Sequence, residues 1–222
     1  MDRLGTESAF EVLSRAQKLS QEGKNIINLG IGQPDFKTPS HIVEAAQKAL
    51  IDGHHGYTPA NGLPELREAV AFDLKLRHNV EVDADNIVVV PGGKPTMFFA
   101  LLMFGGPKSE IIYPDPGFPI YRSLIDFTGS IAVPVAMREK NNFSFCADDI
   151  LEKISPNTSL IIVNSPSNPT GGITSKSELN KLVKELKKHP KIAILSDEIY
   201  SHMVYGKAQH NSLLQYPEIK NQ

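Results

Sequence analysis

The residues best suited to chemistry follow two apolar runs of the sequence. The run 160–163 (Leu-Ile-Ile-Val) leads into a polar turn that contains Asn168. The run 192–195 (Ile-Ala-Ile-Leu) leads into a segment that contains Asp197 and Tyr200. A helical pattern separates the two runs, and this order predicts a β-α-β unit. Because ligands of open α/β sheets bind at the carboxyl ends of the strands, we expect the amide, the carboxylate and the phenol to share one ligand-binding edge.

A second segment has the composition of an anion site. The run 86–90 (Asn-Ile-Val-Val-Val) has the unbroken apolar character of a buried strand, and Gly93 and Lys94 follow it directly before a helical pattern. Free amide groups and the helix dipole favour an anion there, and glycine lets a phosphate approach the backbone. A plain strand-to-helix connection is the alternative, but it needs no lysine. The residues therefore favour phosphate binding, although the spacing is not that of a P-loop.

An aromatic residue completes the set of candidate groups. Phe118 follows the predicted strand 110–113 and can stack on a flat ligand, although a lone ring in such a place is more often a packing residue. A flat, phosphorylated, cationic heteroaromatic compound would use all of these groups. The carboxylate of Asp197 would keep a ring nitrogen protonated, and the amide and phenol would bind a ring oxygen. This combination indicates pyridoxal 5′-phosphate.

The elements that position these groups predict an α/β protein. Strand-like runs alternate with helical patterns from residue 86 onward, which is typical of a three-layer α/β/α fold with a mostly parallel sheet. A further strand or extended segment is expected over 26–29. The predicted strands of the sheet are 86–90, 110–113, 131–135, 160–163 and 192–195.

Composition argues against several other classes of protein. A formal net charge of -2 with interspersed charges gives no long-range attraction for nucleic acid. The single cysteine, Cys146, predicts a reducing compartment, and no apolar run reaches the length of a membrane span, so we expect a cytoplasmic location. The adjacent His54 and His55 lack further ligands at metal-binding spacing and are interpreted as loop residues. No metal, nucleic acid or membrane partner is therefore expected.

Two polar segments carry a family resemblance. Residues 164–171 (Asn-Ser-Pro-Ser-Asn-Pro-Thr-Gly) and 196–200 (Ser-Asp-Glu-Ile-Tyr) resemble the fold-type I, class I and II aminotransferases. Further segments resemble the family in the same order. The resemblance implies a pyridoxal phosphate-dependent transferase-like large domain, amino acid and 2-oxo acid substrates, and a homodimer. These further segments are 28–35, 57–67, 92–94 and 113–121.

The resemblance also implies roles for residues around the cofactor phosphate and the substrate. Gly93 and Lys94 match the turn that binds the phosphate, and Phe118 matches the ring that stacks on the pyridine. Gly32 matches backbone that meets the substrate carboxylate. Tyr57 matches a phenol that reaches the phosphate of the neighbouring subunit, which requires a homodimer.

Three further roles concern the pyridine ring. By resemblance, Asn168 and Tyr200 bind the ring hydroxyl oxygen, and Asp197 pairs with the ring nitrogen. Asp197 and Tyr200 are therefore the expected catalytic residues of this chain.

The family's imine-forming lysine has no counterpart in the sequence. It belongs to a Ser-x-x-Lys-like segment after the Asp-Glu-x-Tyr motif, whereas Lys207 and Lys220 lie outside such a context. We therefore expect an N-terminal fragment that is inactive alone. Its expected domains are an N-terminal arm and start of the small domain over 1–38, and a large cofactor-binding domain over 39–222, truncated before the lysine.

Two alternatives remain open from the sequence. A non-catalytic aminotransferase-like binding or regulatory module would share these motifs. So would another fold-type I enzyme, such as a lyase or a synthase. The motifs do not identify the amino acid substrate.

Overall fold

The structure, a computed structural model, describes residues 8–222. These residues fall into two compact units, one that extends to Leu63 and one from Pro64 to Gln222. The first unit contains helices α1 (Ser8–Gln21) and α2 (Ser40–Ile51), and residues 26–29 form no strand. The domain boundary expected after residue 38 stays a prediction.

The second unit is built around a four-stranded parallel sheet. The strands are β1 (Glu110–Asp115), β2 (Ile131–Ala136), β3 (Thr158–Asn164) and β4 (Ala193–Asp197). The strand order is β2-β1-β3-β4, and the register places Asn164 beside Asp197 at the carboxyl ends of β3 and β4. The expected α/β fold class with a mostly parallel sheet is thereby confirmed.

The two outer strands of this sheet differ. Strand β2 contains Pro134, which pairs in register with Tyr113 and has no backbone N–H to donate. On the other side, the backbone N–H of Ile194 in β4 donates to the carbonyl oxygen of Gln222 at 2.9 Å. Proline within a strand is typical of sheet edges, which agrees with the position of β2.

Helices cover both faces of the sheet and form the outer layers. The helices of this unit are α3 (Pro64–His78), α4 (Lys94–Phe104), α5 (Pro119–Thr128), α6 (Ala147–Leu151) and α7 (Lys176–Leu186). Successive strand residues point to opposite faces, so Ile112 and Ile161 pack on the side of α7, whereas Ile111 and Ile162 pack on the side of α5. The three-layer arrangement follows from these two apolar clusters.

Local signals mark several helix ends. Ser175 caps α7, where its Oγ accepts a hydrogen bond from the backbone N–H of Glu178 at 3.3 Å. Helix α5 ends at Gly129, whose φ of 77° favours glycine. Between residues 8 and 222, no helix combines the length and apolar character that crossing a membrane requires.

The strand predicted over 86–90 is wrong. Residues 84–86 form a 3₁₀ turn, and residues 87–90 pair with no strand in the described part of the chain. An apolar run becomes a strand only where neighbouring strands accept its backbone hydrogen bonds. The sheet therefore has four strands rather than the five expected.

Candidate functional site

A cavity of about 330 Å³ lies where β3 and β4 end and α4 begins. This volume lies at the small end of the range typical of sites for small molecules and cofactors. The cavity brings together six of the sequence-predicted site residues. Its lining includes Gly93, Lys94, Phe118, Asn168, Asp197 and Tyr200.

The turn before α4 presents the N-terminal end of a helix to this cavity. Gly92 has a φ of 86°, which suits glycine, and Gly93 is the N-cap residue of the helix. A Cβ atom added to Gly93 would meet only the Cε atom of Met97, at 3.9 Å. The backbone is therefore open to close approach, and Lys94 supplies a cationic side chain at the same place. This arrangement suits an anion such as phosphate.

Phe118 is the N-cap residue of α5 and lines the same cavity. Its ring packs edge-on against Tyr121, with ring centroids 5.9 Å apart and an interplanar angle of 87°. The half-buried ring is thus held in place from one side. Such a ring can stack on a planar ligand.

The carboxylate of Asp197 is held by a buried phenol. The hydroxyl of Tyr121, whose side chain is fully buried, donates to Oδ2 of Asp197 at 2.5 Å, and the backbone N–H of Ile199 donates to Oδ1 at 3.3 Å. Burial and the neighbouring carboxylate raise the pKa of Tyr121 well above its ordinary value, so the phenol stays protonated and keeps donating. No local pattern indicated a role for Tyr121, because its contact with Asp197 depends on the fold.

Asn168 and Tyr200 meet on the same side of the site. The Nδ2 of Asn168 donates to the hydroxyl oxygen of Tyr200 at 3.4 Å. The phenol proton of Tyr200 is then available to a ligand acceptor, because the hydroxyl already accepts from the amide. An oxygen atom of a bound ring would suit this pair.

Glu198, which follows Asp197, joins β4 to the segment after it. Its carboxylate accepts hydrogen bonds from Ser196 Oγ at 2.7 Å and Ser212 Oγ at 3.1 Å, and contacts His210 Nε2 at 2.8 Å. Burial raises the pKa of this carboxyl, but the hydrogen bonds from His210, Ser196 and Ser212 outweigh burial, and the net pKa is lowered. Glu198 also lines the cavity and is therefore an ionised anchor within the site, and no local pattern of the sequence indicated this role.

The remaining candidates are not placed at this cavity. Gly32 and Tyr57 lie in the unit that extends to Leu63, and the Tyr57 side chain is fully exposed. Lys207 does not line the cavity, and Lys220 lines a different one, beside Lys75. Among residues 8–222, Lys94 is the only lysine in the cavity lining. The roles inferred for Gly32 and Tyr57 stay predictions.

No metal centre accompanies the site in the described part of the chain. Residues 8–222 contain no group of three or more His, Cys, Asp or Glu side chains arranged to hold a metal ion. His54 and His55 both lie in an exposed loop, where the sequence places them.

Comparisons with known proteins agree on one family. The model for aminotransferase class I and II matches residues 24–221. The aspartate aminotransferase of Pyrococcus horikoshii is 39% identical over 210 residues, which cover 95% of this chain and 51% of that protein. The chain thus spans about half the length of the curated relatives it matches.

Solved structures show the same relationship. The aspartate aminotransferase from Thermus thermophilus with maleate matches with a TM-score of 0.91 and 32% identity, covering 97% of this chain and 56% of that one. The alanine aminotransferase from Pyrococcus furiosus matches with a TM-score of 0.87 and 32% identity, covering 93% of this chain and 53% of that one. The chain belongs to the class I and II aminotransferase family.

Proposed function

We propose that the residues lining the cavity at the ends of β3 and β4 form the cofactor-binding part of a pyridoxal 5′-phosphate-dependent aminotransferase acting on an amino acid and a 2-oxo acid. One observation carries the proposal. A single cavity gathers a cation at a helix N-terminus, an aromatic ring, an amide with a phenol, and a carboxylate. These groups complement the phosphate, ring face, ring hydroxyl and ring nitrogen of that cofactor.

The groups also fit the cofactor electrostatically. Lys94 and the N-terminal end of α4 would hold the phosphate. Asp197, kept in place by Tyr121, would hold a proton on the ring nitrogen, because an opposite charge in a partly buried site favours the charged form. Pyridoxal phosphate, when bound, supplies an electron sink for the electrons released as an amino acid loses its α proton.

The other residues of the cavity would orient the ring. Phe118 would cover one face of the ring and exclude water from it. Asn168 and Tyr200 would fix the ring hydroxyl oxygen and prevent rotation of the ring in its plane. Asp197 and Tyr200 are the catalytic residues of this proposal.

Several finer features belong to the same proposal. Gly32 would meet the substrate carboxylate, and Tyr57 would reach the cofactor phosphate of a second copy in a homodimer. The single cysteine, Cys146, supports a cytoplasmic location. We also propose that a small domain begins within residues 1–38 and that the cofactor-binding domain spans 39–222. This chain alone is expected to be inactive, because it offers no imine-forming lysine in the family's sequence context.

Binding of pyridoxamine 5′-phosphate tests the proposal directly, since this form needs no imine with a lysine. Calorimetric titration of the 222-residue chain is expected to give saturable binding. Lys94→Ala removes a charge-assisted contact and should weaken binding roughly ten- to hundredfold, whereas Lys207→Ala, outside the cavity lining, should leave it unchanged.

Two results would decide against parts of the proposal. Equal affinity of the chain for pyridoxamine 5′-phosphate and inorganic phosphate would contradict a site for the pyridine ring. Ring-specific binding without amino transfer in a longer protein containing these residues would favour a lyase, a synthase or a non-catalytic binding module.

A further inference from the structure

Asn164 occupies the junction between the two turns that carry the ring-binding residues. It is the last residue of β3, and it pairs in register with Asp197 at the end of β4. Only 3% of its surface is exposed, and it forms part of the cavity wall. A buried amide at a strand end needs hydrogen-bond partners, so its contacts show what it holds.

The side chain of Asn164 bonds to both turns at once. Its Oδ1 accepts from the backbone N–H of Asn168 at 2.8 Å. Its Nδ2 donates to the backbone carbonyl oxygen of Asp197 at 3.0 Å and to that of Pro166 at 3.4 Å. One rigid, planar amide therefore sets the spacing between the residue assigned to the ring oxygen and the residue assigned to the ring nitrogen.

The two backbone groups that Asn164 binds differ in whether they have a second hydrogen-bond partner. The carbonyl oxygen of Asp197 also accepts from the backbone N–H of Ser165 at 3.2 Å, so it would keep a partner without Asn164. The N–H of Asn168 has Asn164 Oδ1 as its hydrogen-bond acceptor. Removal of the amide would therefore free the turn at Asn168 first and loosen Asp197 second.

We propose that Asn164 is a positioning residue that aligns Asn168 and Asp197, so that both engage the pyridine ring simultaneously. The inference rests on the proposed cofactor site and adds a residue that acts only through others. Small displacements matter at such a site, because hydrogen bonds to a rigid ring require all donors and acceptors to be in place at once.

The test compares three ligands on wild-type and Asn164→Ala chains. They are pyridoxamine 5′-phosphate, its analogue without the ring hydroxyl, and its analogue with carbon in place of the ring nitrogen. Wild-type chain is expected to bind each analogue about tenfold more weakly than the parent, a loss that corresponds to one charge-assisted or well-aligned hydrogen bond. These two losses of affinity are called the hydroxyl penalty and the ring-nitrogen penalty. In Asn164→Ala both penalties should fall below about threefold, since neither contact is then aligned.

Ser165→Ala is the matched control, because it removes one buried polar contact from the same turn. Ser165 Oγ accepts from the backbone N–H of Thr174 at 2.9 Å and forms no hydrogen bond with Asn168 or with the Asp197 side chain. This variant should retain both analogue penalties. If it loses them as Asn164→Ala does, general loosening of the turn explains the effect and the positioning role is overturned.

Asn164→Asp is the second variant, with the same shape and without the Nδ2 donor. It keeps an acceptor for the Asn168 N–H, so the hydroxyl penalty should persist while the ring-nitrogen penalty falls. Amide hydrogen exchange adds a readout without ligand: the Asn168 N–H should lose protection in Asn164→Ala and keep it in Asn164→Asp and Ser165→Ala.

The outcomes separate the two levels of the hypothesis. Wild-type chain without either analogue penalty overturns the proposed cofactor site, and the positioning role with it. Penalties that persist in Asn164→Ala, or unchanged protection of the Asn168 N–H there, overturn the positioning role and leave the cofactor site intact.

Discussion

Two similarly apolar runs differ in structure: one forms a buried strand, and the other forms no strand. Residues 160–163 form the middle of β3, which lies between β1 and β4, and all four are buried. Residues 87–90 (Ile-Val-Val-Val) are equally apolar, but they form no strand, and Val88 is 62% exposed. The difference lies in the neighbours that each run has, since the two sequences carry the same strand signal.

The stability of a strand in this molecule depends on the elements next to it. Burial of Ile161 requires the helices that cover its face, and pairing of its backbone requires β1 and β4. The run at 87–90 has no pairing strand within residues 8–222. Propensity alone therefore does not decide the structure of a short apolar run.

The largest effect on stability is expected when a buried side chain in the middle of β3 is shortened. Ile161 is fully buried, so Ile161→Ala leaves a cavity and should lower the free energy of unfolding by about 2–5 kcal/mol. Ile131→Ala on β2, where the side chain is half exposed, is the control and should cost clearly less. Urea unfolding followed by circular dichroism measures both, and equal losses would refute the contrast between central and outer strands.

A smaller effect is expected at the end of β4. Tyr121→Phe removes the phenol that donates to Asp197 and leaves a partly buried carboxylate without this donor. Hydrogen bonds to charged groups contribute about 1.5–3 kcal/mol, so a loss of this order is expected at neutral pH. The same variant should weaken pyridoxamine 5′-phosphate binding, whereas Tyr205→Phe, with an exposed side chain, should change neither property.

The pH dependence of stability tests the anchor next to that strand end. The lowered pKa of Glu198 means that its stabilising contribution is complete above the ordinary value of 4.5 and is lost as the pH falls through the lower folded value. Glu198→Gln should therefore flatten the acid limb of a stability curve measured by thermal unfolding. Glu185→Gln, which removes a solvent-screened surface ion pair with Lys188, should flatten that limb less than Glu198→Gln does.

The smallest effect is expected in the unpaired run. Val88→Thr changes an exposed side chain that belongs to no strand, so the free energy of unfolding should move by less than about 0.5 kcal/mol. A loss comparable to that of Ile161→Ala in urea unfolding would show that residues 87–90 are packed after all.

The sequence was sufficient for the parts of the fold whose signals are local and agree with their neighbours. Strands β3 and β4 follow from unbroken apolar runs, and Asn168, Asp197 and Tyr200 come together because parallel strands end at one edge. The start of helix α5 does not follow from the sequence, because Pro116, Gly117 and Pro119 together are typical of a turn. Pro119 in fact occupies its first turn, where a missing N–H costs nothing.

Other features depend on three-dimensional partners that no local pattern encodes. The strand predicted over 86–90 fails because a strand needs hydrogen-bonding neighbours. The roles proposed for Tyr121, on α5, and Asn164, on β3, depend on contacts with Asp197 at the end of β4. Such contacts link residues far apart in the chain, and residue type alone did not identify them.

Pro134 on β2 makes one side of the sheet less able than the other to pair with a further strand. A strand that approached β2 would meet an edge that lacks one hydrogen-bond donor in its middle, and proline of this kind discourages edge-to-edge pairing. Strand β4 contains no proline, and its Ile194 N–H already bonds to an added carbonyl. The sheet is thus able to add a strand beyond β4, next to Asp197, whereas Pro134 disfavours the addition of a strand beside β2.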